Sequence, residues 1–286
     1  MVLTMRTGLV LEGGAMRGMF TCGILDVFLE KGIEFDSTVG VSAGAVFGCN
    51  YKSRQAGRAL RYNKRFCRDS RYCSVKSLLK TGDLYGADFC YVELPNVLDP
   101  YDYDTFEKNP MEFWCVTTDV ETGKARYDLL HDGRGDDMLL LRASASMPLV
   151  SRDVSVKGCN LLDGGIADPI PYEFMLSKGV ERCVVILTQP YDYIKKKNSM
   201  LPLFSLCYRG KRKGITEAMG VRHDVYNRET NELKRLEKEG RVYVLRPAKA
   251  LEIGKTEKDP ARLQAVYDAG RRLALEKLDE IRSYLK

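Results

Sequence analysis

Histidine is nearly missing from this chain: His131 and His223 are the only two among 286 residues. Cysteine occurs nine times but never as a C-x-x-C pair, so a structural zinc site has no ligand cluster to build on. An odd, dispersed set of thiols is also a poor disulfide framework and fits reduced cysteines in the cytosol. No apolar run approaches the roughly 20 residues that a membrane span needs, and Met1–Thr7 is too short and too little apolar for a signal peptide. The net charge of +6 is modest and comes without a nucleic-acid-binding motif. The expectation is a cytoplasmic protein with no metal, no cofactor and no nucleic-acid partner. Its mild basicity leaves room for a peripheral contact with an anionic lipid surface at the inner membrane face.

What is present suits a folded enzyme-sized unit. The chain is 44% hydrophobic and 29% charged, enough for one large α/β domain with a sizeable core. No repeat, low-complexity tract or linker divides it, so residues 1–286 are expected to form a single domain. The informative motifs fall within 8–171, and 172–286 belongs to the same unit.

The stretch from Phe35 to Phe47 organises the rest. It reads as a short strand, a sharp turn and the start of a helix, with Gly40-x-Ser42-x-Gly44 at the turn. A serine at the apex of a strand-to-helix corner is held in a strained backbone conformation with its hydroxyl projecting clear of the sheet. Glycines two residues to either side remove side chains that would collide across so tight a corner. The following helix points its N-terminal amides at the place where negative charge develops in acyl transfer. Ser42 is therefore a candidate nucleophile, although a lone pentapeptide of this composition also arises in ordinary turns.

A second glycine-rich corner precedes it. Gly8-Leu9-Val10-Leu11 has the continuous apolar character of a buried parallel strand. It runs into Glu12-Gly13-Gly14-Ala15-Met16-Arg17-Gly18, and then into a helix over Met19–Lys31. A Walker A loop would require a Lys-Ser/Thr pair that is absent. A dinucleotide fingerprint would carry Ala15 at its second glycine and would want an acid where the serine corner stands. The reading that uses both corners is an oxyanion hole built from the backbone amides of Gly13, Gly14 and Ala15 beside Ser42. Arg17 either orients this loop electrostatically or is a plain surface arginine.

Further along, Val154–Leu162 reads as a hairpin leading into Asp163-Gly164-Gly165. An aspartate at a strand end followed by glycines can face a cleft, though Asp-Gly is equally a common turn. With no obvious histidine partner for Ser42, Asp163 becomes the candidate base. The remaining elements are coarser. A helix is expected from Ala43 to about Ala59, and short helices and loops over the site mouth from Arg61 to about Pro110. A hairpin of strands is expected at 112–119 and 125–130, with a helix beginning at Met138. A buried strand should lie near Cys183–Leu187, a helix over Ile215–Lys238, a strand over Arg241–Pro247 and a final helix over Pro260–Lys286. Residues 191–214 set Lys195, Lys196, Lys197, Arg209, Lys211, Arg212 and Lys213 around Met200–Phe204. That stretch is the candidate for a peripheral membrane contact, against the alternative of a flexible basic loop with one buried anchor.

Taken in order, Gly13-Gly14-Ala15-Met16-Arg17-Gly18, Gly40-Val41-Ser42-Ala43-Gly44 and Asp163-Gly164-Gly165 resemble the patatin-like phospholipase family, its bacterial members in particular. Ala143-Ser144-Ala145-Ser146-Met147-Pro148 resembles the same family. The resemblance implies a three-layer α/β/α fold with a mostly parallel central sheet and a nucleophile elbow. It implies a metal-free Ser-Asp dyad hydrolysing lipid acyl esters, with Ser42 as nucleophile and Asp163 as base. Gly13, Gly14 and Ala15 would form the oxyanion loop, with Arg17, Gly18, Gly40, Gly44, Gly164 and Gly165 as supporting positions. Two departures stand out. Ala15 replaces the usual third glycine, which matters only if that position needs a positive φ. Asp168 stands where many members carry asparagine. The competing functions are a Ser-His-Asp hydrolase using His223, a lipid-binding or regulatory protein without turnover, and nucleotide binding at the glycine loop.

Overall fold

The computed structural model describes residues 5–208 and 210–286. Met1–Thr4 and Arg209 lie outside the described residues, as does the Lys211 side chain, which removes part of the basic stretch singled out at 191–214.

The architecture is a three-layer α/β fold on a mixed, mostly parallel sheet of eight strands. They are β1 (Thr7–Leu11), β2 (Ser37–Val41), β3 (Glu112–Asp119), β4 (Ala125–Leu130), β5 (Val154–Val156), β6 (Cys159–Asp163), β7 (Arg182–Ile186) and β8 (Val242–Leu245). Their order is β5-β6-β3-β2-β1-β7-β8, with β4 pairing to β3 beside this path. β3, β2, β1, β7 and β8 run parallel to one another, while β4 and β6 pair antiparallel with β3 and β5 antiparallel with β6.

Side-chain alternation along the strands sorts the helices into two layers. Leu9 and Leu11 of β1, Phe113 and Cys115 of β3, and Val184 and Ile186 of β7 share one core. Its helices are α1 (Gly18–Glu30), α2 (Ala43–Lys52), α3 (Arg58–Phe66), α6 (Asp136–Ser144) and α10 (Pro260–Glu276). Val10, Val39, Val41, Val116, Cys183 and Val185 face the other way, toward α7 (Tyr172–Ser177) and α9 (Lys213–Lys238). Other helices are α4 (Val75–Thr81), α5 (Tyr103–Lys108), α8 (Leu201–Cys207), α11 (Leu278–Tyr284) and a π-helix over Phe89–Leu98.

α1 and α10 cross closely through glycine. A Cβ on Gly23 would fall 2.0 Å from the Tyr267 carbonyl oxygen, and one on Gly270 2.0 Å from that of Phe20. Backbone contact of this kind has no room for any side chain. It fixes the C-terminal helices to the layer that carries the glycine loop.

Two expected helices are shorter than the sequence pattern suggests. The one beginning at Ala43 ends at Lys52, well before Ala59. Its carboxy end is drawn into the core, where Lys52 Nζ donates to the Met111 carbonyl at 2.6 Å. The chain then turns through Arg54 at φ 55° and Gly57 at φ 72° before α3 starts. The last helix breaks at Lys277 into α10 and α11. In addition, 191–214 holds α8, whose Phe204 is buried while Leu203 and Leu206 are exposed. No helix among the described residues is long and apolar enough to cross a membrane.

Candidate active site

The register of β3 explains why two residues 121 positions apart meet. β4 occupies one edge of β3 along Phe113–Thr118. The opposite edge is shared, with β2 taking Glu112–Val116 and β6 taking Thr117–Asp119. The carboxy ends of β2 and β6 therefore arrive head to head, with Val41 opposite Val116 and Asp163 opposite Thr117. Ser42 follows Val41 directly, so the serine corner and the aspartate share one junction. Ser144 closes it: its hydroxyl donates to the Val116 carbonyl at 2.6 Å and accepts the Ser42 amide at 2.8 Å. Thr118 Oγ1 donates to the Asp163 carbonyl at 2.8 Å.

Ser42 has φ 54° and ψ −123°, a conformation that a residue with a side chain adopts only when its surroundings enforce it. The glycines around it are required by contact. A Cβ on Gly44 would lie 2.3 Å from the Leu11 carbonyl oxygen, and one on Gly40 2.7 Å from Ala45 Cα. The Ser42 hydroxyl donates to Asp163 Oδ2 at 2.6 Å. Asp163 is buried, and the Gly165 amide donates to its Oδ1 at 2.8 Å. Burial pushes the Asp163 carboxyl above its ordinary value. The Ser42 hydroxyl, the Arg222 charge, the Gly165 amide and Lys195 pull against that rise.

The glycine loop lies against the serine, since a Cβ on Gly13 would sit 2.9 Å from Ser42 Cβ. Among the described residues, no protein acceptor takes the amides of Gly13, Gly14 or Ala15. The loop is held from behind: buried Glu12 accepts from the Thr188 amide and hydroxyl and from Tyr226 OH. Arg17 Nε lies 3.4 Å from Thr188 Oγ1.

Ala15 sits at φ 48°, so the departure from glycine places an alanine in the left-handed region. The strain is worth roughly 1 kcal/mol, partly offset by the looser unfolded chain of a glycine variant. Ala15→Gly is expected to keep its N–H and to raise stability by about 0.5 kcal/mol, read from urea denaturation. A variant less stable than wild type would show that the site does not strain this residue.

Neither histidine joins the pair. The serine hydroxyl already donates directly to Asp163, and His223 Nε2 faces its neighbour Asp224 Oδ1 at 3.4 Å. Asp168 donates its amide to the Gly164 carbonyl at 3.0 Å and accepts the Tyr127 hydroxyl at 2.5 Å. It faces Glu229 of α9. Burial raises both groups; the Glu173 charge adds to the rise of Asp168 and the Asp168 charge to that of Glu229, while the Tyr127 hydroxyl and Glu229 pull Asp168 back down.

From Ser42 a cavity of about 560 Å³ runs between α2, α3, α6 and α8. Phe47, Tyr62, Tyr91, Leu94, Met138 and Leu141 supply much of its wall. The segment 61–110, expected as short helices and loops over the site mouth, thus turns aromatic and aliphatic side chains inward to line the cavity. Its arginines work on the outside of that wall, where Arg61 makes a two-pronged contact with Asp99 at 2.8 Å.

A strained serine thus lies between a glycine loop and a strand-end aspartate, at one end of an apolar cavity. Residues 9–176 match the Patatin-like phospholipase family, and the chain belongs to that family. Residues 212–286 match a Domain of unknown function (DUF6363). Uncharacterized protein YjjU of Escherichia coli is 33% identical over 195 residues, covering 65% of this chain and 52% of YjjU. Lysophospholipase NTE1 of Scheffersomyces stipitis is 27% identical over 184 residues, covering 63% of this chain and 11% of that protein. The chain thus spans about half the length of the bacterial relative and far less of the fungal one. VipD from Legionella pneumophila aligns over 97% of this chain and 67% of its own, at 11% identity and a TM-score of 0.47.

Sequence reasoning missed Ser144, Glu12, Thr188 and Arg222. Ser144 lies inside the family-like segment at 143–148, which was a usable signal without an assigned role. Arg222 carried none.

Proposed function

We propose that this chain is a serine acyl hydrolase of lipid esters, of phospholipase A, lysophospholipase or esterase type. The observation that supports it most is the direct 2.6 Å contact of Ser42 Oγ with buried Asp163 Oδ2, opening on an apolar cavity large enough for an acyl chain. Ser42 Oγ attacks the ester carbonyl carbon while its proton passes to Asp163. The carbonyl oxygen becomes an oxyanion received by the amides of Gly13, Gly14 and Ala15. Collapse breaks the ester C–O bond, and Asp163 returns the proton to the departing alcohol. Water then repeats the sequence on the acyl-enzyme. Each well-placed amide donor is worth on the order of 100-fold in rate.

The same reading makes the chain work as one unit in the cytosol and meet lipid through α8. Met200 and Phe204 are wall residues of the cavity, and Met200, Leu203 and Leu206 are exposed on the same segment. Lys196 and Lys197 stand exposed beside them. Such an apolar patch with cations suits an anionic bilayer surface.

A fluorophosphonate probe is expected to label Ser42, followed by mass spectrometry of the labelled peptide. A panel of short and long acyl esters, with and without anionic vesicles, then reads the substrate class. Long-chain esters in vesicles should turn over faster than the same esters in detergent. No labelling of Ser42 under any condition would leave the protein without the proposed activity.

A further inference from the structure

Three residues of α9 at positions i, i+4 and i+7 form one stripe along the helix, and each touches a different part of the site. Arg222 Nε donates to the Gly165 carbonyl. Tyr226 OH donates to Glu12 Oε1 at 2.9 Å, and Glu229 faces Asp168. Gly165 is the residue whose amide holds Asp163 Oδ1 at 2.8 Å, so Arg222 grips the peptide next to the one that orients the carboxylate. A Cβ on Gly165 would lie 3.5 Å from Arg222 Nη2 and 3.2 Å from Asp163 Oδ1, which places the guanidinium beside the same small loop. α9 lies within the segment 212–286 that matches a domain of unknown function.

We propose that Arg222 is a positioning residue for Asp163, and that the C-terminal segment contributes to the site by delivering it. This rests on the acyl-hydrolase reading above. Arg222 is bonded to Gly165 and not to the serine; it acts through the Gly164-Gly165 loop and through its charge. An arginine stays protonated at any physiological pH, so the charge is permanent.

The surroundings favour that role. Asp163 is faced by Ser42 from the corner after β2, by the Gly165 amide, by Arg222 from α9 and by Lys195 from the segment after β7. Arg222 is faced by Asp163, Glu12, Tyr193 and Tyr226. Arg17 and Lys255 add positive charge near Lys195, and burial with the Arg222 charge holds the Lys195 amine down to about 8. Two cations thus oppose the burial of one carboxyl, and only that of Arg222 is bonded to its loop and independent of pH across the neutral range.

The test compares Arg222→Gln with wild type in three readouts: the pH midpoint of kcat, the split between kcat and KM, and the carbon-13 titration of the Asp163 carboxyl, assigned with Asp163→Asn. Loss of the charge is expected to move both midpoints up by about one pH unit and to lower kcat about tenfold at neutral pH. KM should change little. A folded Arg222→Gln protein with wild-type midpoints and kcat would overturn the proposal. Should the glutamine variant not fold, Arg222→Lys keeps the charge and loses the bond to Gly165. It is expected to lower kcat about tenfold with a midpoint near wild type, and an unchanged kcat would overturn the proposal. If wild-type protein is never labelled at Ser42, the hydrolase reading fails by itself. The carbon-13 titration still decides whether Arg222 governs the Asp163 carboxyl.

Discussion

Replacing Ser42 with alanine is expected to lower ester turnover on the order of 10⁴-fold or more while leaving a folded protein. The hydroxyl is the atom that would bond to the substrate, and no second hydroxyl stands in its place: Ser144 is committed to the Val116 carbonyl and the Ser42 amide. Alanine leaves Asp163 one donor short, with the Gly165 amide remaining, and the lost hydrogen bond costs about 1 kcal/mol. Ser42→Gly separates chemistry from strain. Both variants should be inert toward ester, yet the glycine variant relaxes the φ of 54° and should be more stable than the alanine variant by roughly 1 kcal/mol. Steady-state hydrolysis and urea denaturation of both proteins check this. An alanine variant with wild-type turnover would remove Ser42 from the mechanism.

The site was legible in the sequence wherever a backbone constraint left a residue signature. Gly40 and Gly44 had to be glycine because neighbouring backbone comes within 3 Å of any Cβ, and that need is visible as G-x-S-x-G. Asp163 was legible only through its following glycines and the family pattern. What places it against Ser42 is the sharing of one β3 edge by β2 and β6, and strand order is not written in any local stretch. Arg222 was hidden for a different reason. It sits in the run Arg222-His223-Asp224 on a long charged helix, which reads as a solvated face. The stripe it forms with Tyr226 and Glu229 mixes a cation, a phenol and an acid, so an apolar periodicity passes over it. The neighbouring His223, attractive as a triad member, points at Asp224 instead. The break after Lys52 escaped notice because it depends on a buried lysine reaching the Met111 carbonyl, a tertiary contact that overrides helix propensity.

Asp163→Asn carries the second large effect. The amide keeps the size and nearly the shape of the carboxylate, but it cannot accept the serine proton. Loss of a positioned base is worth about 10²–10⁴-fold, and the buried site, with no histidine in contact with the pair, puts the expectation at the upper end. The pH dependence follows from the direction of the Asp163 shift. Burial raises its carboxyl in the folded protein, and the ionised form is the base, so wild-type kcat should climb with pH through a midpoint above the ordinary carboxylate range and then level off. The asparagine variant should show no such limb. Stability runs the other way. The folded state holds the proton more tightly than the unfolded chain does, so unfolding releases it and stability falls as pH rises from the ordinary carboxylate value to the raised midpoint. Asp163→Asn escapes that loss, and its thermal midpoint relative to wild type should therefore improve from acid to neutral pH while its activity is nearly gone. A variant that keeps the wild-type limb in kcat would assign the base to another group, and a variant whose relative stability declined over the same range would show that the native fold does not raise this carboxyl.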